Sequence, residues 1–118
     1  MSKNRREFFR VDFGGLIDGE IRREGWEEAL PIEIENVSAG GLVFYSPEEF
    51  PMDEKVECSF SILGRPFLLD GSIVRKTKKM VMNEHGVAFT VDQGTSSELF
   101  KQLNYYQIRQ RKGGLDEE

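Results

Sequence analysis

Val56-Glu57-Cys58-Ser59-Phe60-Ser61-Ile62 alternates apolar and polar residues without a break, and Phe67-Leu68-Leu69-Asp70-Gly71-Ser72-Ile73 follows a short interval. Successive side chains of a strand point to opposite faces, so Val56, Cys58, Phe60 and Ile62 are expected inside while Glu57, Ser59 and Ser61 meet water. Cys58 thereby belongs to the core. Gly64 to Pro66 supplies a turn, and the second run places Phe67, Leu69 and Ile73 on one face, with Gly71 interrupting the row where a strand bends. The two runs read as a hairpin. Working outward, Val11–Ile21, Ile32–Glu35, Gly41–Ser46 and His85–Val91 are further strand-like runs set off by Gly, Pro, Asn and Asp. A count of about six or seven strands with no helical period among them predicts an all-β barrel or sandwich.

One helix is expected at the end of the chain. Thr95 and Glu98 have the spacing of a capping box, and Leu99, Phe100, Leu103 and Tyr106 recur at helical intervals, which predicts an amphipathic helix over 96–111. Arg109, Arg111 and Lys112 suit the negative end of its dipole, Gly113 and Gly114 are expected to stop it, and 113–118 reads as a frayed tail.

The 118 residues are enough for one domain with its own core, and 38% hydrophobic against 31% charged residues is the composition of a soluble globular protein. No apolar run approaches the length of a membrane span, and the basic first ten residues are followed by no apolar stretch of the signal-peptide kind. A cytoplasmic protein with no direct membrane insertion is the expectation. The lone Cys58 and lone His85 form no cluster at metal-ligand spacing, so no metal or resident cofactor is expected. The formal net charge of -5 argues against a general nucleic-acid binder, including an RNA-binding small barrel. Charge is nevertheless uneven. Lys3, Arg5, Arg6 and Arg10 against Glu7 leave +3 on the first ten residues, a short basic arm (1–10) on an acidic body (11–112), which suits a small localised anion.

Two motifs carry chemistry. In Arg5-Arg6-Glu7-Phe8-Phe9-Arg10, arginine forks are able to grip phosphates or the O6 and N7 acceptors of guanine, and at least one phenylalanine is expected to anchor the arm against the barrel. In Asn36-Val37-Ser38-Ala39-Gly40-Gly41, short polar side chains and two glycines between strand-like runs make a loop able to read a base edge. Each alone has an ordinary explanation, as a solvated tail and as a turn. No Ser or Cys nucleophile stands in an activated context and His85 lies in a strand-like run, so an enzyme is not expected.

In this order the motifs resemble those of the PilZ domain family, whose pattern is an RxxxR arm, a strand, a [D/N]xSxxG loop and a small six-stranded antiparallel barrel of split-barrel type with a C-terminal helix. Arg6 and Arg10 match the arm; Asn36, Ser38 and Gly41 match the loop. Gly71, Ile73, Val74 and Arg75, with Gly86, Val87, Ala88 and Phe89, resemble the family's weaker strand motifs. The resemblance implies a bacterial receptor for the second messenger cyclic di-GMP, bound by Arg5, Arg6, Arg10, Asn36, Ser38, Gly40 and Gly41, with Arg5 stacking on a base. Asn36 stands where many members carry Asp, so the charge-assisted grip on guanine N1 and N2 is missing. With no output domain in the sequence, a protein partner from motility, polysaccharide-secretion or transcription machinery is implied. The competing expectation is a protein-interaction module of the same fold that binds nucleotide weakly or not at all.

Overall fold

The computed structural model describes residues 10–116, with side-chain surroundings for residues 16–111. Six strands alternate hand to hand around a closed barrel: β1 (Arg10–Arg23), β2 (Leu30–Ser38), β3 (Gly41–Ser46), β4 (Lys55–Ile62), β5 (Arg65–Lys78) and β6 (Asn83–Phe89). Every pairing is antiparallel, in the order β1-β2-β3-β6-β5-β4, and β4 closes back on β1 with Ile21 opposite Cys58. Closure leaves no free edge along the sheet.

The alternation in β4 does what its sequence dictates. Val56, Cys58, Phe60 and Ile62 are buried, and facing them Phe67, Leu69 and Ile73 of β5 are buried too. Burying each such side chain contributes about 1.5–3 kcal/mol. The hairpin turns at Leu63 and Gly64, both at positive φ (52° and 79°), so Arg65 and Pro66 already belong to β5. Burial pushes the Cys58 thiol up to about 12, which makes it an inert core residue.

Three interruptions of register shape the outer surface. Between Asp12 and Ile17, β1 uses three more residues than β2. Between Ile34 and Asn36, β2 carries one residue more than β3, and its buried positions step from Ile34 to Val37 accordingly. Between Ile73 and Arg75, β5 carries one residue more than β6. Such bulges re-aim the side chains that follow them.

The helix α1 (Gln93–Asp116) is longer than the 96–111 expected. Its cap is Asp92, whose Oδ1 accepts from the Thr95 N–H at 2.7 Å, and not Thr95 itself. Glu98, the expected partner in a capping box, instead pairs with Arg65 at 3.3 Å and accepts from Gln102. Gly113 and Gly114 do not stop the helix, because a glycine lowers helix propensity without breaking the hydrogen-bond ladder. Residues 113–116 are therefore helical, while the rest of the expected tail, 117–118, lies outside the described residues. Leu99 and Leu103 are fully buried beside β2 and β4 and Tyr106 packs behind them, but Phe100, one position out of step, is 46% exposed.

Candidate functional site

The loop between β2 and β3 is held by Ser38. Its Oγ accepts from the Gly40 N–H (3.2 Å) and donates to the Gly41 carbonyl (3.4 Å), while the Gly40 carbonyl accepts from the Phe89 N–H of β6 (2.9 Å). Gly41 is required by packing: a Cβ there would stand 2.0 Å from the Val87 carbonyl oxygen. β6 thus makes a close backbone approach at this glycine.

Two bulges bring polar side chains to one place. The bulge before Asn36 sets Asn36 and Ser38 on the face opposite buried Val37, and the bulge before Arg75 sets that arginine across Gly86, whose added Cβ would touch the Arg75 Cβ at 3.4 Å. Asn36, Ser38, Gly40, Gly41, Arg75 and Gly86 line one shallow hollow of about 200 Å³ over β3 and β6. Glycine at 86 leaves the space through which the arginine reaches.

The charge in this hollow is only partly spent. Arg75 Nη2 lies 3.6 Å from Glu84, a carboxylate it shares with Lys79 at 3.3 Å, and more than half of the Arg75 side chain is exposed. Nearby, Tyr45 donates to Glu35 Oε1 at 2.8 Å, and that bond with the added burial pushes the phenol up to about 12. The hollow offers hydrogen bonds and a guanidinium, with no nucleophile beside a base.

The start of β1 connects the two sequence motifs. Arg10 pairs with Ser38, Val11 with Val37 and Asp12 with Asn36, so the last residue of the arm is fixed by backbone register opposite the loop. The Arg10 side chain, together with Arg5, Arg6, Phe8 and Phe9, lies outside the described residues. Arg75 is the residue that sequence reasoning left as part of a strand motif. Only the extra residue in β5 turns it toward Asn36, and strand period gives no sign of that insertion.

His85 is a core residue. Its ring stacks on Phe44 (4.9 Å), meets Phe50 edge-on (5.0 Å) and accepts the Phe50 N–H on Nε2 at 3.2 Å. Nδ1 has no partner at ordinary hydrogen-bond geometry, and the Asn83 backbone beside the ring is only a weak counterweight to burial. Burial, reinforced by Lys76, holds the imidazole below its usual value. Among the described residues no group of three or more His, Cys, Asp or Glu side chains is placed to hold a metal ion.

A larger open cleft of about 570 Å³ lies elsewhere, between Arg22, Trp26, Lys55, Asp70 and Thr90. Among the described residues, none that lines it belongs to either motif. The hollow over β3 and β6 is the candidate site because the loop, the foot of the arm and a partly free arginine converge there.

The described residues thus form a small closed antiparallel barrel with a C-terminal helix, its polar Ser-Gly loop paired with the start of β1. The sequence matches the PilZ domain over residues 4–106, and the chain belongs to that family. No curated protein is similar enough in sequence to count as a match. Among solved structures, the PilZ domain of YcgR from Escherichia coli with c-di-GMP is similar at a TM-score of 0.72 and 13% identity, over 93% of this chain and 97% of that one. The Bacillus subtilis inhibitor of motility MotI/DgrA is similar at 0.70 and 17%, over 90% of this chain and 53% of that one. The PilZ domain of CeSA from a cellulose-synthesizing bacterium is similar at 0.61 and 17%, over 81% and 98%. The chain thus spans about half the length of MotI/DgrA.

Proposed function

We propose that this chain is a receptor for cyclic di-GMP that signals to a protein partner. The observation that carries the reading is the register at the foot of the arm: Arg10 faces Ser38 and Asp12 faces Asn36, beside the hollow that Arg75 lines. Cyclic di-GMP is a compact dianion with two guanines and two phosphates, and each part of it has a counterpart. In this reading Arg6 and Arg10 meet phosphate and the guanine O6/N7 edge, Arg5 stacks on a base, and Asn36 and Ser38 take the other polar edge. Arg75 adds a further guanidinium at the far wall. Family membership and the YcgR domain with c-di-GMP support the ligand.

Binding orders the arm of residues 1–10 in this reading, and the altered charge at the barrel mouth is what the partner recognises. The likeness to an inhibitor of motility and to a CeSA domain supports a partner in motility or polysaccharide machinery. Asn36 in place of a carboxylate favours one competing reading, an interaction module with weak or no nucleotide binding.

Calorimetric titration with cyclic di-GMP, cyclic di-AMP and GTP in parallel separates them. Heat with cyclic di-GMP alone, lost in Arg10→Ala and weakened in Arg75→Ala at unchanged melting temperature, is the expected result. Loss of a desolvated charge-assisted contact at Arg10 corresponds to about 2–5 kcal/mol. Absence of heat with all three, or wild-type affinity in Arg10→Ala, overturns the receptor reading.

A further inference from the structure

We infer that the tip of the β5–β6 hairpin is a docking finger for an anionic lipid surface. The hairpin projects from the barrel beyond two anchors, where Asn83 Nδ2 donates to the Pro47 and Glu48 carbonyls (3.4 and 3.3 Å) and Lys76 pairs with Glu49 (3.1 Å). Past them the ribbon narrows to a tight turn in which the Lys79 N–H donates to the Met82 carbonyl at 3.0 Å. Met80 and Val81 occupy the two central positions. Turn centres ordinarily take Gly, Asn, Asp or Ser, which satisfy the geometry and face water without cost. Here Met80 is 100% exposed and Val81 86%, whereas the next most exposed large apolar residue among those described, Leu68, reaches 63%. Turn chemistry does not ask for them.

Cations stand behind this apolar tip on both faces of the ribbon. Strand alternation puts Lys76 and Lys78 on one face and Arg75 and Lys79 on the other, against the two carboxylates Glu49 and Glu84, which leaves a local surplus of positive charge on a chain of net charge -5. Lys78 makes no contact ion pair among the described residues and shares the field of Glu49 with Lys76. An apolar knob ahead of a lysine collar matches a bilayer interface, where the knob enters the acyl boundary and the collar meets phosphates.

A protein partner is the poorer match. Two apolar side chains on a narrow ribbon bury far less than the roughly 1,000 Å² of a specific protein interface, whereas interfacial insertion needs only the tip. Lysine, a flexible point charge, suits a fluid array of headgroups better than a fixed carboxylate does. Among the described residues no helix is long and apolar enough to cross a membrane, and the contact proposed here is a peripheral one. This departs from the sequence expectation of no direct membrane insertion, because two apolar residues in a turn are too few for a hydropathy reading to register.

Flotation of the full chain with vesicles of phosphatidylcholine, alone or mixed in equal parts with phosphatidylglycerol, tests the inference. The chain is expected to float with the mixed vesicles only, less so at high salt. Met80→Ser combined with Val81→Ser is expected to weaken partitioning about a hundredfold, the lower end of the scale of withdrawing two apolar side chains. Lys78→Gln combined with Lys79→Gln is expected to weaken it too, all variants melting with the wild type. A wild type that ignores anionic vesicles overturns the lipid assignment in favour of an acidic protein surface. Undiminished binding by the Met80→Ser, Val81→Ser variant also overturns it, since the basic arm alone then holds the membrane.

Discussion

At residue 41 a single methyl group separates a folded barrel from a distorted one. With a Cβ only 2.0 Å from the Val87 carbonyl, Gly41→Ala forces β3 away from β6 and is expected to cost about 2–3 kcal/mol in denaturant melts. Ser38→Ala removes only neutral bonds and is expected to cost about 0.5–1.5 kcal/mol. Asn36 is the residue at which affinity is expected to improve. Asn36→Asp supplies the missing carboxylate and should tighten cyclic di-GMP about tenfold by calorimetry, since charge-assisted bonds are about twice as strong as neutral ones. His85 sets a pH dependence. Its imidazole is held below the ordinary 6.5 in the fold, so as pH falls beneath that value the unfolded chain takes up a proton the fold refuses. Stability on this account is complete above 6.5 and declines below it, levelling off under the folded value. The melting temperature should therefore drop more steeply between neutral and mildly acid pH in the wild type than in His85→Gln, whose side chain can still accept the Phe50 N–H.

Among the elements, α1 shows how capping and packing divide their work. Asp92 caps the first turn, and the Thr95 amide it binds also holds its carboxyl below the usual range. Asp92→Ala is expected to lower the melting temperature, and Thr95→Ala distinctly less. A reversed order would return the cap to Thr95. Leu99 and Leu103 dock the helix on the barrel, so Leu103→Ala is expected to cost about 2–5 kcal/mol and to release the helix amides to hydrogen exchange.

For the whole molecule, the closed barrel is the frame, and under the proposed function the arm of residues 1–10 is what ligand binding is expected to order. Three arginines within six residues, with Glu7 between them, carry like charges that an anion would neutralise in the proposed reading. Hydrogen exchange at residues 3–10 is expected to slow when cyclic di-GMP is added, while the barrel strands, already protected by closure, change little. Equal protection with and without ligand would mean a preformed arm and no switch of this kind. Ordering the arm consumes about 1–2 kcal/mol per residue, so affinity should also fall as salt screens the ion pairs.

Local rules were sufficient for much of this protein. The period of two in Val56–Ile62, the breaks at Gly and Pro and the helical spacing of Leu99, Leu103 and Tyr106 determined an all-β domain with a terminal helix. The order of the Arg and Asn-x-Ser-x-x-Gly motifs determined the family, because those signals reside in neighbouring residues. Only the tertiary structure decided that packing against β6 demands a glycine at 41, that Asp92 caps the helix, and that Arg75 shares a hollow with Asn36. Each depends on which strand lies beside which and on where one residue too many enters a pairing. Register is set by long-range packing, and no local pattern records it.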